Sequence, residues 1–333
     1  MNSVYTTTIT RAARARGLQV VVLDASQPVF ELRRGRTAVR CFNALTDRVG
    51  AATFFLANHK HAANQFLRRH GFPVPAQLKF GDFTAAEKFL ARHRHVVVKP
   101  CMQWGGRGVA VDVRTPAELR AAVRRAQSFE DDVVLEQCVS GEDQRLILVG
   151  GRYVAAIRRT PAAVTGDGRR TIAQLIRRQN RRACAVDPSH RIPLDAETRR
   201  QLARLGRRLD AVPRAGERVQ VRLTSNYHTG GDASVITDEV APQLRRVARR
   251  VARLFGLPMV GIDFLVDARR GKFWIIEVSP DLAISPPEGA AVVEYFLDDL
   301  FPGSRPQKQA DGVPRRGSRK KTGRQLDNMG MVP

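Results

Sequence analysis

Two runs of β-branched and aromatic residues, Met259 to Val266 and Phe273 to Ser279, flank the polar stretch Asp267-Ala268-Arg269-Arg270-Gly271-Lys272. That pattern predicts a β-hairpin. A register centred on Arg270 sets Asp263 opposite Glu277, and alternation puts Ser279 on the face of Glu277. Two carboxylates side by side on a half-buried sheet repel each other. A divalent cation removes that cost, and oxygen ligands on a rigid hairpin suit Mg²⁺ carrying phosphate. Pairing each acid with an arginine answers the pattern equally well.

Other elements follow from the same alternation of apolar and polar positions. A helix ends at Gly17 and a strand runs from Leu18 to Leu23; the strand expected before that helix is missing or supplied from elsewhere. His61 to His70 reads as a helix stopped by Gly71, Pro73 and Pro75. Val96 to Lys99 and Val109 to Val113 read as strands, and Thr115-Pro116-Ala117-Glu118 as a capping box. Val133 to Glu136 is a strand, and Leu146 to Val149 with Tyr153 to Ile157 is a hairpin over Gly150-Gly151. Residues 171–182 and 196–208 predict basic helices. In 243–255, Leu244, Val247, Val251 and Leu254 form an apolar stripe, with arginines covering the other side. From Pro302 the pattern dissolves, so 303–333 is expected to be a disordered basic tail.

Composition narrows the function classes. The chain has 333 residues, 43% of them hydrophobic, enough for a full core in one to three lobes. It holds no apolar stretch of membrane-spanning length and no signal-peptide core, so a soluble, cytoplasmic protein is expected. Cys41, Cys101, Cys138 and Cys184 match no zinc or disulfide spacing. The net charge of +24 attracts polyanions. Aromatics at 6% and no recognition motif argue against nucleic acid.

Gly105-Gly106-Arg107-Gly108 is no Walker A loop, because no Gly-Lys-Ser/Thr follows and the next element is a strand. It reads as a hairpin tip whose N–H groups can fold over phosphates, with Lys99 projecting from the strand before it. The order of parts is more specific than any one of them. Lys60 is followed by Lys99 with the glycine tip, Glu136 ending a strand, and Gly141-Glu142-Asp143-Gln144-Arg145. Then come Asn226 to Gly231, Gly261-Ile262-Asp263 and Ile276-Glu277-Val278-Ser279. This succession resembles the ATP-grasp superfamily of carboxylate–amine ligases over about residues 3–302. Within it, Val96 to Pro100, Gly166 to Arg169, Arg191 to Thr198, Asn226 to Gly231 and Phe296 to Pro302 look most like N-acetylglutaminylglutamine synthetases. Cyanophycin synthetases are a more distant likeness.

The resemblance implies an α+β ATP-grasp fold. Its parts would be an N-terminal α/β unit (1–55), a small subdomain with the glycine lid (56–130), a large subdomain with the metal site (131–302) and the tail. It implies that Lys60 and Lys99 hold ATP phosphates under a lid of Gly105, Gly106 and Gly108. Glu136, Gln137 and Val139 would belong to the strand that bonds adenine through backbone, and Asp143 would contact ribose. Arg145 and Arg158 would stabilise the transferred phosphoryl group, and Asn226 would shape the acceptor side. Asp263, Glu277 and Ser279 would bind Mg²⁺, with Mn²⁺ as an alternative. His190 and His228 would be structural or substrate contacts.

The activity implied is ATP-dependent amide formation through an acyl phosphate, of the dipeptide-forming kind, from small carboxylate and amine substrates. A homo-oligomer fits the same resemblance. The pattern departs from the family at Ser279, where Asn is usual, and at Asp281, where Gly is usual. Those departures are what a nucleotide-binding relative without ligase activity would show.

Overall fold

A computed structural model describes residues 4–282 and 289–305. Helix α1 (Val4–Ala15) leads into β1 (Gln19–Asp24), β2 (Val29–Arg34), β3 (Thr37–Phe42) and β4 (Leu45–Thr46). These strands form an antiparallel meander in sequence order. The turns between them are too short for a crossover, so this unit is α+β and not the α/β arrangement expected. Ile9 and Ala13 of α1 share one core with Phe30, Leu32 and the last described helix, α9 (Gly289–Leu300). The buried Arg16 locks that contact, donating to Asp298 Oδ1 at 2.8 Å and Ser304 Oγ at 3.2 Å. Residues 303–305 therefore still pack, with Ser304 buried. The rest of the expected tail, 306–333, lies outside the described residues.

α2 (Ala51–Asn58) and α3 (Lys60–Arg69) meet at His59. His59 caps α3, its Nδ1 accepting from the Ala62 N–H at 3.2 Å. Next come β5 (Gln77–Lys79), α4 (Phe83–His93), β6 (Val96–Pro100), β7 (Ala110–Val113), α5 (Pro116–Gln127) and β8 (Val133–Gln137). Their sheet runs β5-β8-β6-β7, with α4 and α5 packed on one face through Leu90, Leu119 and Val123. Half of the expected capping box forms: Thr115 accepts from the Glu118 N–H at 3.2 Å, while Glu118 accepts from the Arg114 N–H.

β9 (Glu142–Val149) and β10 (Arg152–Thr160) begin the central sheet. An insertion follows, comprising β11 (Ala163–Thr165), α6 (Ile172–Val186), α7 (Ala196–Arg204) and β12 (Arg218–Gln220). It has a two-stranded sheet and a core of its own around Ile172, Ile176, Leu202 and Val221. The chain then returns through β13 (Asp232–Val235), α8 (Pro242–Phe255), β14 (Met259–Asp267) and β15 (Lys272–Ser279). The central sheet is ordered β13-β10-β9-β14-β15. Leu244, Ala248, Val251 and Phe255 of α8 cover one face against Leu146, Leu148, Val260 and Ile262. Full burial of each large apolar side chain there stabilises by roughly 1.5–3 kcal/mol. The opposite face carries α9 and the N-terminal unit at one end, through Ile147, Val149 and Met259. Its other end carries charge.

Candidate active site

Asp263 is directly opposite Glu277, as alternation predicts. The route there is indirect. From Asp267↔Lys272 to Phe264↔Ile275 the strands run one residue out of the register centred on Arg270, and a bulge between Phe264 and Asp263 restores it. Asp263 is 1% exposed and bonded to two guanidiniums. Arg145 donates to its Oδ1 at 2.6 Å and Oδ2 at 2.9 Å. Arg159 donates to Oδ2 at 2.7 Å and to Asp143 Oδ1 at 2.8 Å. Burial alone would raise the Asp263 carboxyl; Arg145 and Arg159 outweigh it and hold the group down at about 2. Asp143 moves the other way, raised by burial and by Asp263 despite Arg159. Ser279 Oγ accepts from Arg145 at 3.3 Å. A Cβ at position 261 would lie 3.5 Å from Arg145 Nε and 2.4 Å from Leu282 Cδ2, so Gly261 leaves the space that the guanidinium crosses.

Lys60 joins this cluster to the glycine tip. Its Nζ lies 3.8 Å from Glu277 Oε1 and donates to the Gln103 carbonyl at 2.5 Å. Gly105, Gly106 and Gly108 all have φ near +70°, which disfavours any side chain. The tip packs on the turn that Asn226 begins. A Cβ at Gly105 would meet His228, and one at Gly106 would meet Thr229 at 3.2 Å.

Lys99 is buried and donates to both Glu136 oxygens at 2.8 Å, while Gln77 donates to Glu136 Oε2 at 2.6 Å. Glu136 therefore offers its side chain to Lys99. The Gln137 N–H bonds the Ala76 carbonyl, and the Cys138 N–H the His95 carbonyl. Neither amide is left for a base, and half-buried Val139 is the next in line.

One expected role needs correction. Arg158 points to the α8 face, where it pairs with Glu142 at 2.7 Å and Glu239 at 3.0 Å. Arg159 takes its place in the cluster. A hairpin counted evenly from Gly150-Gly151 pairs Arg158 with Asp143 on the face of Arg145. A register slip between Tyr153 and Ala155 moves Arg159 there instead. No local composition cue marks that slip. Asp143 Oδ1 accepts from Arg159 Nε at 3.0 Å and Nη2 at 2.8 Å. Asn226 caps its own turn, its Oδ1 accepting from the His228 N–H at 2.8 Å. Asp281 is exposed, and the departing segment Ile284 to Pro287 lies outside the described residues.

Two other clusters of ligand-type side chains, His59/Cys101/Asp132 and His95/Asp112/Cys138, bring their ligand atoms within 4.8 Å of one another, and hydrogen bonds already hold their imidazoles and carboxylates. The Nδ1 of His59 accepts a helix N–H, so its proton is on Nε2, facing Asp132 Oδ2 at 3.0 Å. Asp112 is saturated by His95, Arg114 and Arg204. Burial pushes the Cys138 thiol up to about 11, away from a thiolate. His190 stacks on Tyr227 with ring centroids 4.2 Å apart.

Residues 74–190 match the family model of the prokaryotic glutathione synthetase ATP-grasp domain. Over 323 residues the chain is 32% identical to a cyanophycin synthetase of Trichormus variabilis, covering 90% of this chain and 35% of that protein. Over 283 residues it is 28% identical to a glutathione biosynthesis bifunctional protein of Listeria innocua, covering 81% of this chain and 37% of that protein. The chain thus spans little more than a third of these relatives. The crystal structure of a bifunctional glutathione synthetase from Pasteurella multocida superposes with a TM-score of 0.61 at 23% identity, covering 90% of this chain and 43% of that one. The fold is that of the ATP-grasp proteins.

Proposed function

The chain belongs to the ATP-grasp superfamily, and from that premise we propose that it is an ADP-forming ligase that uses ATP and Mg²⁺ to join a carboxylate to an amine. The observation that carries this reading is the half-buried cluster of Arg145, Arg159 and Asp143 around the buried Asp263, which Glu277 and Lys60 link to the glycine tip. Its two guanidiniums and two carboxylates balance. A phosphoryl group entering the cluster competes with Asp263 for Arg145 and Arg159, and both guanidiniums offer the forked donors that phosphoryl oxygens accept. Phosphoryl transfer asks a protein for positioning and charge neutralisation more than for covalent help.

The donor set fits Mg²⁺. Asp263 and Glu277 are paired across β14 and β15, and carboxylate oxygens are the ligands this ion takes once a phosphoryl group draws Arg145 and Arg159 from Asp263. When bound, the metal neutralises phosphate charge. Lys60 and Lys99 would donate to phosphate oxygens, Lys99 while offset by Glu136, and the tip's N–H groups shield the phosphates from water. In this reading a substrate carboxylate attacks the γ-phosphate, giving an acyl phosphate and ADP. The amine then displaces phosphate, forming the amide. Arg191 to Thr198 and Asn226 to Gly231 support a dipeptide-type ligase like the N-acetylglutaminylglutamine synthetases, with amino-acid-derived substrates.

Ser279 favours a second reading, nucleotide binding without ligation. A serine hydroxyl reaches less far than an amide, and here it is shared with Arg145. A screen for ADP release separates the two readings. Acidic amino acids, their N-acylated and amidated forms, and amine acceptors would be tested in pairs. Release requiring both a carboxylate and an amine is expected. ATP binding with no release for any pair would leave only the second reading.

A further inference from the structure

The outer edge of the strand that follows the glycine tip is held by arginines rather than by another strand. β7 is the outer strand of its sheet, so its outward carbonyls lack a β partner. Arg125 of α5 donates to the Val109 carbonyl at 3.1 Å and to Glu197 Oε2 at 3.0 Å. Arg200 of α7 donates to the Val111 carbonyl and, at 3.3 Å, to the Asp112 carbonyl. Arg204 donates to Asp112 Oδ2 at 2.6 Å and to both Glu118 oxygens. Glu197, Arg200 and Arg204 lie three and four residues apart, hence on one face of α7. Glu197 is 3% exposed and also pairs with Arg200.

The backbone at this contact is itself unusual. Asp112 has φ +61°, a left-handed conformation that L side chains rarely adopt. Such a conformation persists where the surroundings over-determine it. His95 and Arg114 hold one carboxylate oxygen at 2.9 Å each, and Arg204 holds the other. Asp112 lies in the register slip between β6 and β7, so it sets how the tip strand bends. The insertion thus grips the lid strand on one side while the Asn226 turn supports the tip on the other.

We propose that α7 is a latch for the lid: Arg200, with Arg125 and Arg204, is a positioning residue that fixes β7 and so holds the glycine tip closed on the Asn226 turn. The tip's role over ATP rests on the ligase reading; the latch does not. The test is hydrogen exchange across residues 103–113 without nucleotide, in Arg200→Gln and Arg125→Gln. Trp104, 69% exposed on the tip, gives a second readout through its fluorescence anisotropy once the other tryptophan is removed by Trp274→Phe.

In both variants exchange in 103–113 should speed up by about threefold or more, the size expected for losing one hydrogen bond of ordinary net strength. Trp104 anisotropy should fall, and KM for ATP should rise with kcat little changed. Arg200→Lys should recover part of each effect. Faster exchange confined to α6 and α7, with 103–113 and Trp104 unchanged, would overturn the latch. Arg125 belongs to α5, so Arg125→Gln decides the matter if Arg200→Gln fails to fold. Absent ADP release with altered exchange would remove the ligase reading and leave the latch standing.

Discussion

Arg159 Nη2 donates to Asp263 Oδ2 at 2.7 Å, and its neighbour Arg158 faces the other side of the sheet. A single register slip in β10 decides which of two adjacent arginines enters the ion cluster. Side chains alternate along a strand, so no intermediate arrangement exists.

The two arginines should therefore differ sharply. Arg159→Gln is expected to lower ADP release by about a hundredfold or more, since in the proposed ligase it removes charge from the transferred phosphoryl group. It should also cost about 3 kcal/mol of stability, because the buried Asp263 and half-buried Asp143 are left with one guanidinium fewer. Arg158→Gln should leave release within about threefold, as expected for a surface pair. Steady-state rates and urea midpoints measure both, and equal losses in the two variants would undo the assignment.

Glu277 is the accessible half of the carboxylate pair, its side chain 34% exposed. Glu277→Gln should fold normally. Its ATP affinity in Mg²⁺ should fall about tenfold or more, the worth of a charged contact. Affinity measured in a chelator should change little. Calorimetry under the two conditions makes the comparison, and a parallel loss in both would separate Glu277 from the metal.

Lys99 and Glu136 are buried together and should behave as a unit. Lys99→Met leaves a buried carboxylate with Gln77 as its polar partner and should cost about 3–5 kcal/mol. Adding Glu136→Leu should recover most of that stability without restoring ATP affinity. Additive losses in a double-mutant cycle would show that the pair is not coupled.

The cluster also sets an acid limit. The Asp263 carboxyl stays ionised down to about pH 2 in the folded chain, because Arg145 and Arg159 outweigh its burial. An unfolded aspartate titrates near about 3.9. Its contribution to stability is thus complete above the unfolded value and is lost as pH falls from about 4 toward 2. Asp263→Asn should flatten that part of the stability–pH curve. Chemical denaturation at a series of pH values would reveal it, and an unchanged slope would show that the carboxyl is not depressed.

The sequence by itself determined the hairpin of Asp263 and Glu277, the glycine tip and the order in which the lysines, acids and glycines follow one another. Those features rest on local chemistry: β-branched runs form strands, and glycine accepts positive φ. The superfamily likeness was legible in the same residues. Only the tertiary structure decided the partners. The slip in β10 brought in Arg159, burial joined Lys99 to Glu136, and packing laid α7 along β7. A register slip moves every later side chain to the opposite face, and nothing in the composition near Val154 announces it. Whether a lysine is free or paired depends on a strand that returns 37 residues later. Long-range pairing of this kind is set by the whole fold, so each charged residue could be named from the sequence while its partner could not.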